Sequence, residues 1–374
     1  CIAWGAVAQQ VAAMTTGDRL TIDGRVQSRT YTKVENGVTM NEGYCLKCAK
    51  SLGIPQIDAA VKQMGISEDD LDMLSDEMSS IFGQSEENED EELFELVGDS
   101  VDLEAFDRLI ERQIQGGTDA IVVCGTTGEA ATLSYNERMA LIERCVRTVD
   151  RRVPVIAGSG TNSTASSIAL SKAAQSAGVD ALLTVTPYYN KASQSGLVQH
   201  FSAIADAVDI PVILYNVPSR TGVGCTAQTY QALAKHPNIA GVKEASDDFD
   251  LIQDTLNLCP PDFTVWSGND GSTAAIMALG GKGVISVAAN VVPREMHELT
   301  QLCLENRFLE AGTLQLKLHE LIRALFCEVN PIPVKTTMEL LGLCSGELRL
   351  PLCRMSERHL EQLSHALEPF RPAV

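Results

Sequence analysis

The chain has 374 residues, a formal net charge of −20 and 45% hydrophobic residues. That length accommodates two to three average domains, or one large barrel with attachments. No apolar run reaches the roughly 18 residues that span a bilayer, and the acidic balance attracts no phosphate backbone, so neither a membrane span nor nucleic-acid binding is expected.

Residues 1–14 are apolar but lack a basic start and run into Thr15-Thr16-Gly17-Asp18, which argues against a signal peptide. Residues 1–95 carry 18 acidic and 7 basic side chains, with the densest run at Glu86-Glu87-Asn88-Glu89-Asp90-Glu91-Glu92. A block of like charge repels itself and reads as a solvated linker. The 11 cysteines are irregularly spaced, and Cys124, Cys145 and Cys327 sit in apolar runs. This is the usage of reduced thiols, and it points to a cytoplasmic setting.

From about residue 101 the pattern becomes regular. Strands are expected at 120–124, 154–158, 181–186, 211–216, 240–244, 263–267 and 283–288. Between them lie helical patterns such as 103–115 and 135–149, with apolar residues at i, i+3 and i+4. Almost wholly apolar strands alternating with helices predict a parallel sheet buried on both faces. Seven such units without a dinucleotide glycine fingerprint favour an α/β fold of the (β/α)8 TIM-barrel type over a doubly wound sheet. From Phe308 onward there are helical patterns alone, read as a C-terminal appendix of about three helices.

Most strands end in reactive or turn-forming residues: Gly125-Thr126-Thr127-Gly128-Glu129, Thr186-Pro187-Tyr188-Tyr189-Asn190, Tyr215-Asn216-Val217-Pro218-Ser219-Arg220, Lys243-Glu244 and Ser267-Gly268-Asn269-Asp270. Singly, each is an ordinary turn. In the same phase of successive repeats, they should converge on the mouth where such barrels carry their chemistry. Lys243 lies within an apolar strand. A lysine paired with Glu244 is the plainer reading, but neighbours on a strand point to opposite faces. Aimed inward, Lys243 loses water, its pKa falls and its amine can attack a carbonyl. Tyr215 ends the preceding strand and can shuttle protons in the same space. Thr126 and Thr127 close a glycine-flanked turn suited to a small carboxylate. Arg220 can form a paired contact with a second carboxylate, or stand as a surface arginine.

These motifs resemble the 4-hydroxy-tetrahydrodipicolinate synthase (dihydrodipicolinate synthase) family, from about Val101 to the end. The resemblance includes Asn330-Pro331-Ile332-Pro333-Val334-Lys335 in the tail. It implies a class I aldolase that joins pyruvate to aspartate-4-semialdehyde, for lysine and diaminopimelate synthesis. Lys243 would carry the Schiff base. Thr126, Tyr189 and Tyr215 would relay protons, Thr127 would hold the pyruvate carboxylate and Arg220 that of the aldehyde. The carbonyls of Gly268 and Ile285 would complete the site. No metal or organic cofactor is implied, because the lysine amine is the electron sink. Tyr189 would reach into a neighbouring subunit, giving a homodimer or homotetramer. Where lysine-inhibited members place a glutamate and a histidine, this chain has Ser166 and Arg138, beside a matching Asn162. Two alternatives stay open: another pyruvate-dependent aldolase or lyase of the N-acetylneuraminate lyase superfamily, and an inactive fusion chain.

The front end does not share this resemblance. Residues 1–37 resemble part of a single-stranded-DNA-binding OB domain without its stacking aromatics, and 38–82 resemble the leader region before some Clp-type ATPases. The single Cys45-Leu46-Lys47-Cys48 pair lacks the four ligands of a zinc ribbon. The expected division is therefore 1–37 OB-like, 38–82 leader-like, 83–92 acidic linker, 93–305 barrel and 306–374 helical. The family's first barrel strand would fall on the acidic run, which cannot line an apolar wall. Leu93-Phe94-Glu95-Leu96-Val97 is the expected substitute, pairing between 283–288 and 120–124.

Overall fold

The computed structural model describes residues 29–35, 38–44 and 101–371. The chain divides into two compact units, Cys1–Ser100 and Val101–Val374. In the first, β1 (Arg29–Glu35) and β2 (Val38–Tyr44) pair antiparallel, with Arg29 opposite Tyr44 and Glu35 opposite Val38. β1 lies before and β2 after the division expected at residue 37. The Cys45 and Cys48 pair, the acidic linker and the substitute strand at 93–97 lie outside the described residues.

In the second unit strands and helices alternate. β3 (Ile121–Val123), β4 (Val155–Gly158), β5 (Ala181–Val185), β6 (Val212–Asn216), β7 (Ile239–Glu244) and β8 (Thr264–Ser267) form one parallel sheet in chain order. A doubly wound sheet reverses its order at a switch point; this one never does, which is the winding of a (β/α)8 barrel. The helices are α1 (Leu103–Gln115), α2 (Tyr135–Val149), α3 (Thr164–Ser176), α4 (Gln194–Ala205), the single turn α5 (Pro218–Thr221), α6 (Ala227–Leu233), α7 (Phe249–Leu258), α8 (Thr273–Ala278) and α9 (Pro293–Leu304). α1 and α2 take the bounds expected from their apolar spacing. Each has a built start. Asp102 accepts from Ala105 N, and Ser134 forms a reciprocal capping box with Glu137.

Alternation along each strand sorts side chains to two faces. Leu214, Val242 and Val265 face the helices in the larger core, whereas Ile156, Leu183, Ile213 and Tyr215 make a smaller inner cluster.

The strand expected at 283–288 is a correction. Only Val284 bridges to Ser267, and residues 288–290 form a 3-10 turn. The cause is visible. Asp270 takes the amides of Val287 (3.0 Å) and Ala288 (2.9 Å) and the hydroxyl of Ser286, so these residues bond a carboxylate instead of a ladder. Gly283 also sits at φ +154°, which favours glycine.

The tail forms three α-helices, as expected: α10 (Phe308–Leu325), α11 (Ile332–Leu340) and α12 (Glu357–Leu367). With α9 they bury a second core, including Leu299, Leu318, Leu321 and Leu363.

Candidate active site

Strand register builds the centre of the site. Val185 lies beside Tyr215, Tyr215 beside Lys243, and Lys243 beside Trp266, so four successive strands present one row. The residues flanking Lys243 in that row belong to the inner cluster, which places the lysine on the inner face. Gly241, two residues earlier on the same face, has φ +152°, and a Cβ there would lie 1.9 Å from the Thr264 carbonyl oxygen. The backbones of β7 and β8 therefore approach closely just below the lysine.

Lys243 is only 9% exposed, and its Nζ lies 4.4 Å from the centroid of the Tyr215 ring. Burial pulls its pKa down to about 8, with Asp270 opposing the shift and Arg220 adding to it. Glu244 points away from this space, as strand alternation requires. It accepts from Asn216 Nδ2 (2.9 Å), the Tyr230 hydroxyl (2.7 Å) and Ser246 N (2.9 Å) among the outer side chains. The plain lysine–glutamate pair is thereby set aside.

Tyr215 is buried, which raises its pKa; a hydrogen bond from Thr126 and the charge of Arg220 pull it back. Thr126 and Thr127 lie in a 3-10 turn, Thr126–Gly128, closed by Glu129 at φ +52°. Thr127 Oγ1 accepts from Asn330 Nδ2 at 3.0 Å. Arg220 sits in α5, the turn that leaves β6, and its Nη2 donates to the Asn330 carbonyl at 3.0 Å. Gly268 follows β8, and its amide donates to the Glu244 carbonyl at 2.7 Å. Ile285 donates to the Ser267 carbonyl at 2.9 Å and packs against the inner cluster that holds Tyr215.

Lys243, Tyr215, Thr126, Thr127 and Arg220 thus gather at the C-terminal ends of the strands, with Gly268 and Ile285 beside them. Tyr189 is not brought in. It is 88% exposed with φ +73°, and its amide donates to the Thr221 carbonyl at 3.3 Å.

Two buried polar residues went unassigned in the reading from spacing. Asp270, fully enclosed beside the lysine, closes the strand-end cluster Ser267-Gly268-Asn269-Asp270, and that position was its only signal. Asn330, 6% exposed, joins the Thr127 and Arg220 elements from the helical tail.

Fold and site define a (β/α)8 barrel centred on a buried lysine. The chain belongs to the dihydrodipicolinate synthetase family, whose model matches residues 96–369. Two curated relatives, both named 4-hydroxy-tetrahydrodipicolinate synthase, illustrate the match. That of Thermoanaerobacter sp. (strain X514) is 50% identical over 273 residues, covering 73% of this chain and 92% of the relative. That of Geobacter sulfurreducens is 49% identical over 272 residues, covering 73% and 94%. Among solved structures, dihydrodipicolinate synthase from Aquifex aeolicus superposes with a TM-score of 0.72 at 46% identity, covering 72% of this chain and 93% of that one. The Thermotoga maritima enzyme gives 0.71 at 43% identity, covering 72% and 93%.

Proposed function

We propose that this chain condenses pyruvate with L-aspartate-4-semialdehyde to give 4-hydroxy-tetrahydrodipicolinate, through an imine on Lys243. The observation that carries the reading is Lys243 itself: buried, depressed in pKa and set beside the Tyr215 phenol in a barrel of this family. With a pKa of about 8, an appreciable share of the amine is neutral at neutral pH and can attack the pyruvate carbonyl carbon. Loss of water from the resulting carbinolamine gives the imine. Proton loss from the methyl carbon gives an enamine, which attacks the aldehyde carbon. The amino group of the second substrate then displaces Lys243 as the ring closes, and the enzyme amine is restored.

Tyr215 and Thr126, already hydrogen-bonded to each other, supply the proton path for the dehydration. Thr127 offers a hydroxyl to the pyruvate carboxylate, and Arg220 a guanidinium to that of the aldehyde. The carbonyls of Gly268 and Ile285 border the same mouth. The amine is the electron sink, so the reaction as read needs no metal or organic cofactor. Tyr189, exposed in one chain, completes the relay across a subunit contact, which makes the active form a homodimer or a homotetramer. Among the described residues no helix is long and apolar enough to cross a membrane, and the reduced-thiol reading agrees with a cytoplasmic site of action. For the front end, the reading remains a partial OB-like segment followed by a Clp-leader-like segment, with no role in the reaction.

The test is turnover. Purified chain should consume pyruvate only when aspartate-4-semialdehyde is present, and should leave N-acetylneuraminate uncleaved. Cleavage of N-acetylneuraminate instead would move the chain to the lyase branch, and loss of both activities would favour the inactive fusion.

A further inference from the structure

The two anion-holding residues of the site, Thr127 and Arg220, belong to different strand ends, yet both reach one residue of the helical tail. Asn330 precedes α11 and is buried. Its side-chain Nδ2 donates to Thr127 Oγ1 at 3.0 Å, and its main-chain carbonyl accepts from Arg220 Nη2 at 3.0 Å. One turn further along α11, Lys335 Nζ bonds Glu129 Oε2 at 2.6 Å, and Glu129 closes the turn that carries Thr127. Arg349 N reaches the other oxygen of Glu129 at 3.1 Å. The tail therefore holds Thr127 by one bond, Glu129 by two and Arg220 by one.

The direction of the Asn330–Thr127 bond has a chemical consequence. A hydroxyl is one donor and two acceptors. Thr127 accepts from the amide at 3.0 Å, and its own contact to Asn330 Oδ1 is the longer one at 3.5 Å, so its proton can turn to a nearer acceptor, and a carboxylate is acceptor-only. We propose that Asn330 is a positioning residue that turns the Thr127 hydroxyl proton toward the substrate carboxylate, while its carbonyl sets Arg220 at a fixed spacing from that hydroxyl. This inference rests on the pyruvate reading above. It makes the helical tail part of the site and divides Asn330 into two parts: a side chain that serves pyruvate and a carbonyl that serves the aldehyde.

The division gives the test. Asn330→Asp keeps the main-chain carbonyl but replaces the donor by an acceptor, which would draw the Thr127 proton away and place a negative charge beside the bound carboxylate. Pyruvate is titrated against the intact protein and the variant, with borohydride trapping at Lys243 as the readout, and KM is measured for both substrates. The half-trapping concentration and the pyruvate KM should rise about tenfold, the size of one charge-assisted hydrogen bond. The aldehyde KM should stay within about threefold, since the carbonyl contact persists. Equal changes in both KM values, or a fall in kcat and melting temperature with pyruvate affinity unchanged, would overturn the proposal. If the Asp variant does not fold, the neutral and smaller Asn330→Ala is read in the same assay, alone and with Thr127→Val. A loss of pyruvate affinity that vanishes in the Thr127→Val background supports the coupling; an additive loss refutes it. Absence of any adduct in the unaltered chain would instead defeat the pyruvate reading itself, whereas a normal adduct with unchanged titration in the Asn330 variants defeats this inference alone.

Discussion

At the residue scale the balance at Lys243 is between burial and charge. Desolvation lowers its pKa to about 8, and the nearby Asp270 carboxylate limits the fall. The amine is the reactive form, so the rate of imine formation should rise with pH through about 8 and level off above it, as stopped-flow measurement with pyruvate would show. The same shift affects stability. Between about pH 8 and the unfolded value of 10.5, the unfolded chain binds a proton that the folded chain does not, so stability rises with pH across that window. Below about 8 the full cost of burying the cation is present. Lys243→Met should therefore raise the melting temperature at pH 7, with roughly 3 kcal/mol as the upper bound; an unchanged or lower value would contradict the burial account. In the proposed reaction Arg220 takes no part in the imine step. Arg220→Ala should form the pyruvate adduct normally yet use the aldehyde at least about tenfold less well, because a paired carboxylate contact is lost. Equal damage to both steps would argue against its role. The inward placement of Lys243 was legible in the sequence because strand alternation sends the adjacent Glu244 to the opposite face. Asn330 was not, because its partner Thr127 is 203 positions away and no spacing rule reaches that far.

At the element scale, the start of α2 shows how local chemistry supports the site. Ser134 and Glu137 cap the helix reciprocally, and Glu137 also pairs with Arg349 from the tail, which holds its pKa at about 2. Ser134→Ala should cost about 1 kcal/mol in denaturant unfolding; no change would show the cap to be redundant with the Arg349 pair. The start of α3 bears on regulation. Ser166 stands exposed where inhibited relatives are expected to carry a glutamate, and the Arg138 guanidinium is spent on the Ala130 carbonyl. A serine cannot pair with an ammonium, and an arginine repels it. Activity should persist in millimolar lysine, and half-inhibition at micromolar lysine would refute this. The six strands and the helices α1 and α2 were readable from period alone. The segment 283–288 was misread because its apolar residues fit a strand, while the carboxylate that claims its amides lies elsewhere in the chain.

At the scale of the whole molecule, the proposed assembly gives a prediction. An exposed tyrosine at φ +73° needs a partner surface to make it useful, so Tyr189→Phe should lower kcat while leaving pyruvate trapping intact. Specific activity should also fall on dilution as subunits separate; a fully active monomer by sedimentation would contradict the shared relay. The fold class was legible because strand–helix alternation is a pattern of the whole chain, whereas a subunit contact leaves no periodic trace in one sequence. The most direct measurement is borohydride reduction of the purified chain with pyruvate, followed by peptide mass analysis. A single stable adduct on Lys243, lost in Lys243→Ala, is the predicted result; an adduct on a different lysine, or none, would contradict the central claim.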